Sequence, residues 1–169
     1  MSLKILKEVK DLLANSGLTY WVTGGYALDI VVGRVTREHK NADFIIRLFD
    51  AGRVQTMLEK NDFDITISRQ KLTARKNLQT ANLLTMDEQK KEYIIPLLNA
   101  EITMPVIIMN EYISGELDYT KYRRIPNELI YLLMNHSPIT ADSIIARNLK
   151  IDKKILKQIK VNLRKTSLT

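Results

Sequence analysis

Cysteine is absent from all 169 residues. That excludes disulfides, thiolate nucleophiles and Cys-ligated zinc in one step, and it suits a reducing cytoplasm, the expected location. No apolar run reaches the length needed to span a bilayer, so no membrane partner is expected. The N-terminal stretch from Met1 to Asn15 is lysine-spaced and helical in pattern, unlike a secretory signal. Internal repeats and low-complexity linkers are missing too. Most of the chain also lacks a charge excess. Residues 147–169 hold Arg147, Lys150, Lys153, Lys154, Lys157, Lys160, Arg164 and Lys165 against the single acid Asp152, which accounts for the whole net charge of +7. The body is neutral, so the basic balance describes the tail and says little about a pocket.

What is present is an ordinary apolar fraction of 45%, enough to bury a core in one domain with at most a small appendage. Leu3, Leu6, Val9 and Leu13 recur at helical spacing until Gly17. Leu18 to Thr23 predicts a strand, Gly24-Gly25 a turn, and Tyr26 to Val32 a short helix closed by Gly33. Thr36 to Lys40 is polar loop. Asn41 to Leu48 alternates as a strand, with Ala42, Phe44, Ile46 and Leu48 on one face and Asn41, Asp43, Ile45 and Arg47 on the other. Asp50 is expected to cap a helix running to about Lys60. Strands are expected over Phe63–Arg69, Leu78–Met86, Glu92–Leu98 and Ile102–Ile108. From Pro126 the pattern is helical. It breaks at Ser137-Pro138, resumes over Asp142–Leu149, and ends in an amphipathic helix striped by Ile151, Ile155, Ile159 and Leu163. The expected class is α/β in the α+β sense. A mixed twisted sheet flanked by helices fills 1–125, and a small C-terminal helical segment, 126–169, packs on it.

The chemistry concentrates between Gly24 and Asp43. Two glycines between a strand and a helix let a backbone approach a phosphate, and the helix N-terminus offers N–H groups and partial positive charge. A tight turn explains the same dipeptide. Asp43, on the polar face of the next strand, adds a carboxylate beside the turn, as a Mg²⁺-bound nucleotide requires.

In order, Gly24, Gly25, Tyr26, Ala27 and Asp29, then Gly33, Arg34, Thr36, Arg37 and His39, then Asp43 occupy fixed positions across two elements. Over Tyr20 to Ile46 this pattern resembles the aminoglycoside and lincosamide nucleotidyltransferases of the polymerase-β-like superfamily. The resemblance implies a nucleotidyltransferase fold. It also implies transfer of a nucleoside monophosphate from an NTP to a hydroxyl of a small antibiotic-type acceptor, with Mg²⁺ accompanying the NTP. It implies nucleotide contacts at Gly24, Gly25, Arg37 and His39, a catalytic Asp43, and metal ligation by Asp43 with its neighbours. Here the family's first metal-binding Asp is Asn41, and Asn82 stands where a third carboxylate is expected. Glu92 and Glu101 on later strands are the other candidates for that third place. A reduced or lost activity follows if Asp43 is the only carboxylate.

Ordinary structural roles compete at each position. Asp29 is expected as a partner of Arg34 or Arg37 rather than a catalytic group. Arg37 suits either a nucleotide phosphate or that internal pair. His39 is expected to shape the loop rather than act as a base, Trp21 to lie in the core, and His136 to sit at a helix end without a catalytic role. The basic tail is expected to be a docked helix with a solvated face. The alternative is a non-catalytic module that engages a protein or nucleic acid through 147–169.

Overall fold

The computed structural model describes residues 3–68, 70–89, 91–96, 100–110, 113–135 and 139–163. His136, Ser137-Pro138, Arg164 and Lys165 lie outside the described residues, as do the ends of two expected strands at Arg69 and Leu98.

Helix α1, Leu3–Asn15, buries Ile5, Leu6, Val9 and Leu13. It ends where Gly17 turns left-handed at φ 65° and Leu18 N–H donates to the Leu13 carbonyl at 2.9 Å. Strand β1, Tyr20–Thr23, runs into α2, Gly24–Val32. The two glycines therefore form the first turn of that helix instead of preceding it. Gly33 closes α2 at φ 79°. Strand β2, Asn41–Arg47, follows the loop, and α3, Ala51–Glu59, comes after a short 3-10 turn. Asp50 directly precedes α3 but makes no side-chain cap; its carboxylate meets Arg53 at 3.2 Å instead.

Strands β3 (Asp64–Ser68), β4 (Lys71–Lys76) and β5 (Gln79–Gln89) form two successive hairpins. β5 also pairs in parallel with β2, so it is the strand that joins the hairpins to the site. Beyond it lie β6 (Glu92–Pro96), β7 (Ala100–Pro105) and a short helix α4, Val106–Asn110. A separate hairpin pairs β8, Ser114–Leu117, with β9, Thr120–Arg123. Helices α5, Asn127–Met134, and α6, Thr140–Arg147, complete the helical part.

The expected last helix is not one helix. A single turn, α7, covers Lys153–Leu156, and β10, Lys160–Leu163, pairs antiparallel with β7. Within β10 the β-branched Val161 favours a strand, and Ile159 just before it is buried. The sheet runs β1-β2-β5-β6-β7-β10, with β4 and β3 branching from β5.

Two cores lie on opposite faces of this sheet. Phe44, Ala42 and Ile46 enter one beneath α1 and α3, while Ile45 enters the other with Trp21, Tyr93 and Met104. Phe44 and Ile45 are both fully buried. Each contributes roughly 1.5–3 kcal/mol, so β2 is pinned from both faces and cannot slip by one residue without reversing both. Asp43 keeps its orientation for that reason.

Candidate functional site

The second core stops at Ile45 and Leu84, and a polar row begins one step along the sheet. In register across five strands stand Thr23, Asp43, Asn82, Thr73 and Thr66. Partners in register share a face, and Leu72 and Ala74 on β4 point into the first core. The row therefore lies on the face opposite the first core, beside the start of α2, and grades from buried Thr23 through half-buried Asp43, Asn82 and Thr73 to exposed Thr66.

Asp43 is the centre of this row. Its Oδ1 accepts from the side-chain amides of both Asn82, at 2.9 Å, and Asn41, at 2.5 Å. Asn82 is oriented by Thr73, whose hydroxyl donates to the amide oxygen at 3.3 Å. An amide oxygen turned toward the carboxylate would repel it, so both amides present N–H groups. Burial pushes the Asp43 carboxyl above its ordinary range. The amides of Asn82 and Asn41, then Lys71 and His39, act in the opposite sense.

Gly24 and Gly25 are glycines because of what fills their Cβ positions. Gly24 has φ 64°, and a methyl there would stand 2.6 Å from Asp43 Oδ2. A methyl on Gly25 would stand 2.5 Å from His39 Nδ1 and 2.7 Å from Arg37 Nη2. The close approach that the turn permits is thus made first of all to the chain's own side chains. Thr23 makes no side-chain cap on α2.

Asp29 is fully buried and pairs with neither Arg34 nor Arg37. Its Oδ2 meets His39 Nε2 at 2.6 Å, and its Oδ1 accepts from the Thr36 backbone N–H at 3.0 Å and from the Thr36 hydroxyl. His39 lies against Tyr26 with ring centroids 4.2 Å apart and planes tilted by 43°. It is buried and shapes the loop. Arg37 makes its ion pair with Asp142 on α6, through Nε at 2.8 Å and Nη2 at 2.7 Å, and donates Nη1 to the Glu38 carbonyl. Trp21 is core, with its indole N–H on the Met109 carbonyl at 3.1 Å.

Asn41, Asp43, Asn82, Gly24, Gly25 and His39 are therefore brought together, and Arg37 reaches Gly25 while held by Asp142. Glu92 and Glu101 are not. β6 pairs with β5 only through Asp87 to Gln89, and Glu92 stands opposite Gln89, seven residues along β5 from Asn82, or about 23 Å. Glu101 alternates with Ile102, which faces the second core, so it points to the other side of the sheet. Thr73 and Lys71 belong to the site neighbourhood but were not legible in the sequence, because β4 itself was not. The alternation of Leu72 and Ala74 with Lys71, Thr73 and Arg75 is the signal that would have found them.

As a donor set for Mg²⁺, the corner offers one carboxylate, one of whose oxygens already accepts two amide bonds. Among the described residues no three His, Cys, Asp or Glu converge. Magnesium needs oxygen ligands and favours one or two carboxylates with phosphate oxygens. The amide oxygen of Asn82 is engaged by Thr73, and both amide nitrogens face inward. These residues do not fit a carboxylate clamp for a divalent ion.

The sequence profile of a family described as aminoglycoside-2''-adenylyltransferase matches residues 5–97, more than half of the chain. A lincosamide resistance protein of Staphylococcus haemolyticus is 35% identical over 57 residues, which span 34% of this chain and 34% of that protein. The match thus extends over about a third of the relative's length. The lincomycin-bound lincosamide adenylyltransferase LnuA superposes with a TM-score of 0.68 at 16% identity, covering 87% of this chain and 97% of that one. ANT(2'')-Ia in complex with adenylyl-2''-tobramycin superposes at 0.66 and 15% identity, covering 85% and 86%. At such identities the likeness speaks for the fold, which is the mixed α+β fold of nucleotidyltransferases.

Proposed function

This chain belongs to the aminoglycoside-2''-adenylyltransferase family, and from that premise we propose that it binds an NTP and a small hydroxyl-bearing antibiotic at the Gly24–Asp43 corner, with nucleotidyl transfer reduced or lost. In the family-type reaction an acceptor hydroxyl oxygen bonds to the α-phosphorus, the bond to pyrophosphate breaks, and the hydroxyl proton leaves to a base. The start of α2, uncapped by Thr23, directs backbone N–H groups and its dipole toward the phosphates. Asp43 is the single carboxylate of the Asn41–Asp43–Asn82 cluster and carries whatever acceptor positioning that cluster supplies. His39 and Asp29 fix the loop that abuts Gly25.

One observation carries the reduction in rate: both side chains that flank Asp43 are amides that donate to it. A metal bound by a fuller acid set stabilises transition-state charge by several kcal/mol. Losing about 3 kcal/mol of that lowers a rate by about a hundredfold. The test is pyrophosphate release from ATP, GTP, CTP and UTP with lincomycin or tobramycin as acceptor, alongside nucleotide binding by calorimetry. Binding with turnover about a hundredfold or more below typical enzyme rates is expected. Absence of binding by every nucleotide at millimolar concentration overturns the nucleotide-site reading, and turnover rates typical of enzymes overturn the reduction.

A second reading, engagement of an anionic protein or nucleic acid, is favoured by the exposed Lys150, Lys153, Lys154, Lys157 and Lys160, none of which forms an ion pair among the described residues. The surface concerned is a loop, a single turn and a strand edge rather than one helix. Binding of a duplex oligonucleotide that weakens steeply with salt supports it, and salt-insensitive or absent binding removes it.

A further inference from the structure

Lys71 lies on β4, on the same face as Thr73, and Thr73 is bonded to Asn82, which is bonded to Asp43. Its charge acts on Asp43, and it forms no ion pair within 4 Å among the described residues. The other cation of this strand face, Arg75, stands directly opposite Asp64 on β3, whereas Lys71 stands opposite Ser68. Of the two, Lys71 is the one without an acid across from it.

We propose that Lys71 supplies here the positive charge that a divalent ion supplies where carboxylates converge, so that the corner takes phosphate oxyanions directly and without a metal. A corner of three carboxylates repels a polyphosphate until cations intervene. With amides at 41 and 82, a single negative charge remains, and both amides donate hydrogen bonds to it. One ammonium on the same sheet face then offsets that charge locally. Lysine serves such a place as a flexible point charge with three donors. The inference rests on the reading that this corner faces a triphosphate, and it adds the residue and the metal independence.

Inorganic tripolyphosphate and ATP are titrated by calorimetry in EDTA and in Mg²⁺, with native protein, K71A, K71R, the tail variant K153A/K154A/K157A and N41D/N82D. Folding of each variant is checked by circular dichroism and thermal unfolding. Native protein is expected to bind tripolyphosphate in EDTA. K71A should weaken binding about tenfold or more, the scale of one charge-assisted hydrogen bond. K71R should stay within about threefold, since the charge remains. N41D/N82D should bind only with Mg²⁺. If Mg²⁺-ATP binds but tripolyphosphate and ATP in EDTA do not, this inference falls and the nucleotide-site reading stands. If nothing binds, both fall. If the tail variant loses the affinity and K71A keeps it, the anion sits on the tail and the inference is overturned.

Discussion

The Asn82 amide donates to Asp43 Oδ1 at 2.9 Å from the neighbouring parallel strand, in direct register. A cross-strand pair of this kind joins the family-typed strand β2 to β5, where the sequence pattern is least distinctive. Its consequence for stability is direct.

Replacing Asn82 by Asp removes a donor from a carboxylate and adds a like charge beside it. N82D is expected to lose about 1–3 kcal/mol in urea unfolding at neutral pH in EDTA. Equal midpoints for native and N82D would show that the bond contributes nothing.

The Asp43 carboxyl gives stability a particular pH dependence. Its folded-state value is raised, mainly by burial, above the ordinary 3.8. The folded state therefore holds this proton more tightly than the unfolded chain. The contribution is fully present below the ordinary carboxylate value and is lost as pH rises through the raised one. D43N cannot titrate. The stability of native protein relative to D43N should fall from about pH 4 upward and then level off, as read from urea midpoints across pH. A flat difference would mean that Asp43 does not titrate upward in the folded state.

Gly25 and Gly52 form a matched pair of alanine substitutions. A methyl at Gly25 meets His39 and Arg37, whereas one at Gly52, inside α3, meets nothing within 4 Å. G25A should cost about 1–3 kcal/mol. G52A should be neutral or stabilise by up to about 1 kcal/mol, the helix preference of alanine over glycine. Thermal unfolding of the two variants side by side decides the matter.

Arg37 and Asp142 form a partly buried pair, with side chains 24% and 1% exposed. D142A leaves the guanidinium without its partner and should cost about 2–4 kcal/mol. R37A/D142A should cost less than the sum of the single variants, with a coupling of about 1 kcal/mol or more in a double-mutant cycle. Additive losses would mean that the two groups do not interact in solution.

The corner was legible because its residues are constrained locally. Gly33 closes α2 as its type suggests, and the alternation from Ala42 to Ile46 sorts side chains between two cores as read. The β4 strand escaped because the turn that launches β5 is built on Asn77 and Leu78 at φ 49° and 63°. Two-residue turns of this hand usually announce themselves with glycine, and a leucine there, almost fully exposed, reads as the start of a strand. The β8–β9 turn at Asp118 and Tyr119 hides in the same way. The partner of Arg37 was out of reach for another reason. Asp142 lies 105 residues along the chain, and no local pattern encodes a contact of that separation.

The position of β10 sets an order on synthesis. β7 finds its second neighbour in a strand made more than fifty residues later. At roughly 5–20 residues per second, that edge waits on the order of seconds after it leaves the ribosome. During that interval its unpaired amides and carbonyls are open to any other extended chain. The same lysines that charge the tail arrive with the strand that closes the edge, so the newborn sheet gains its cover and its electrostatic guard in one late step.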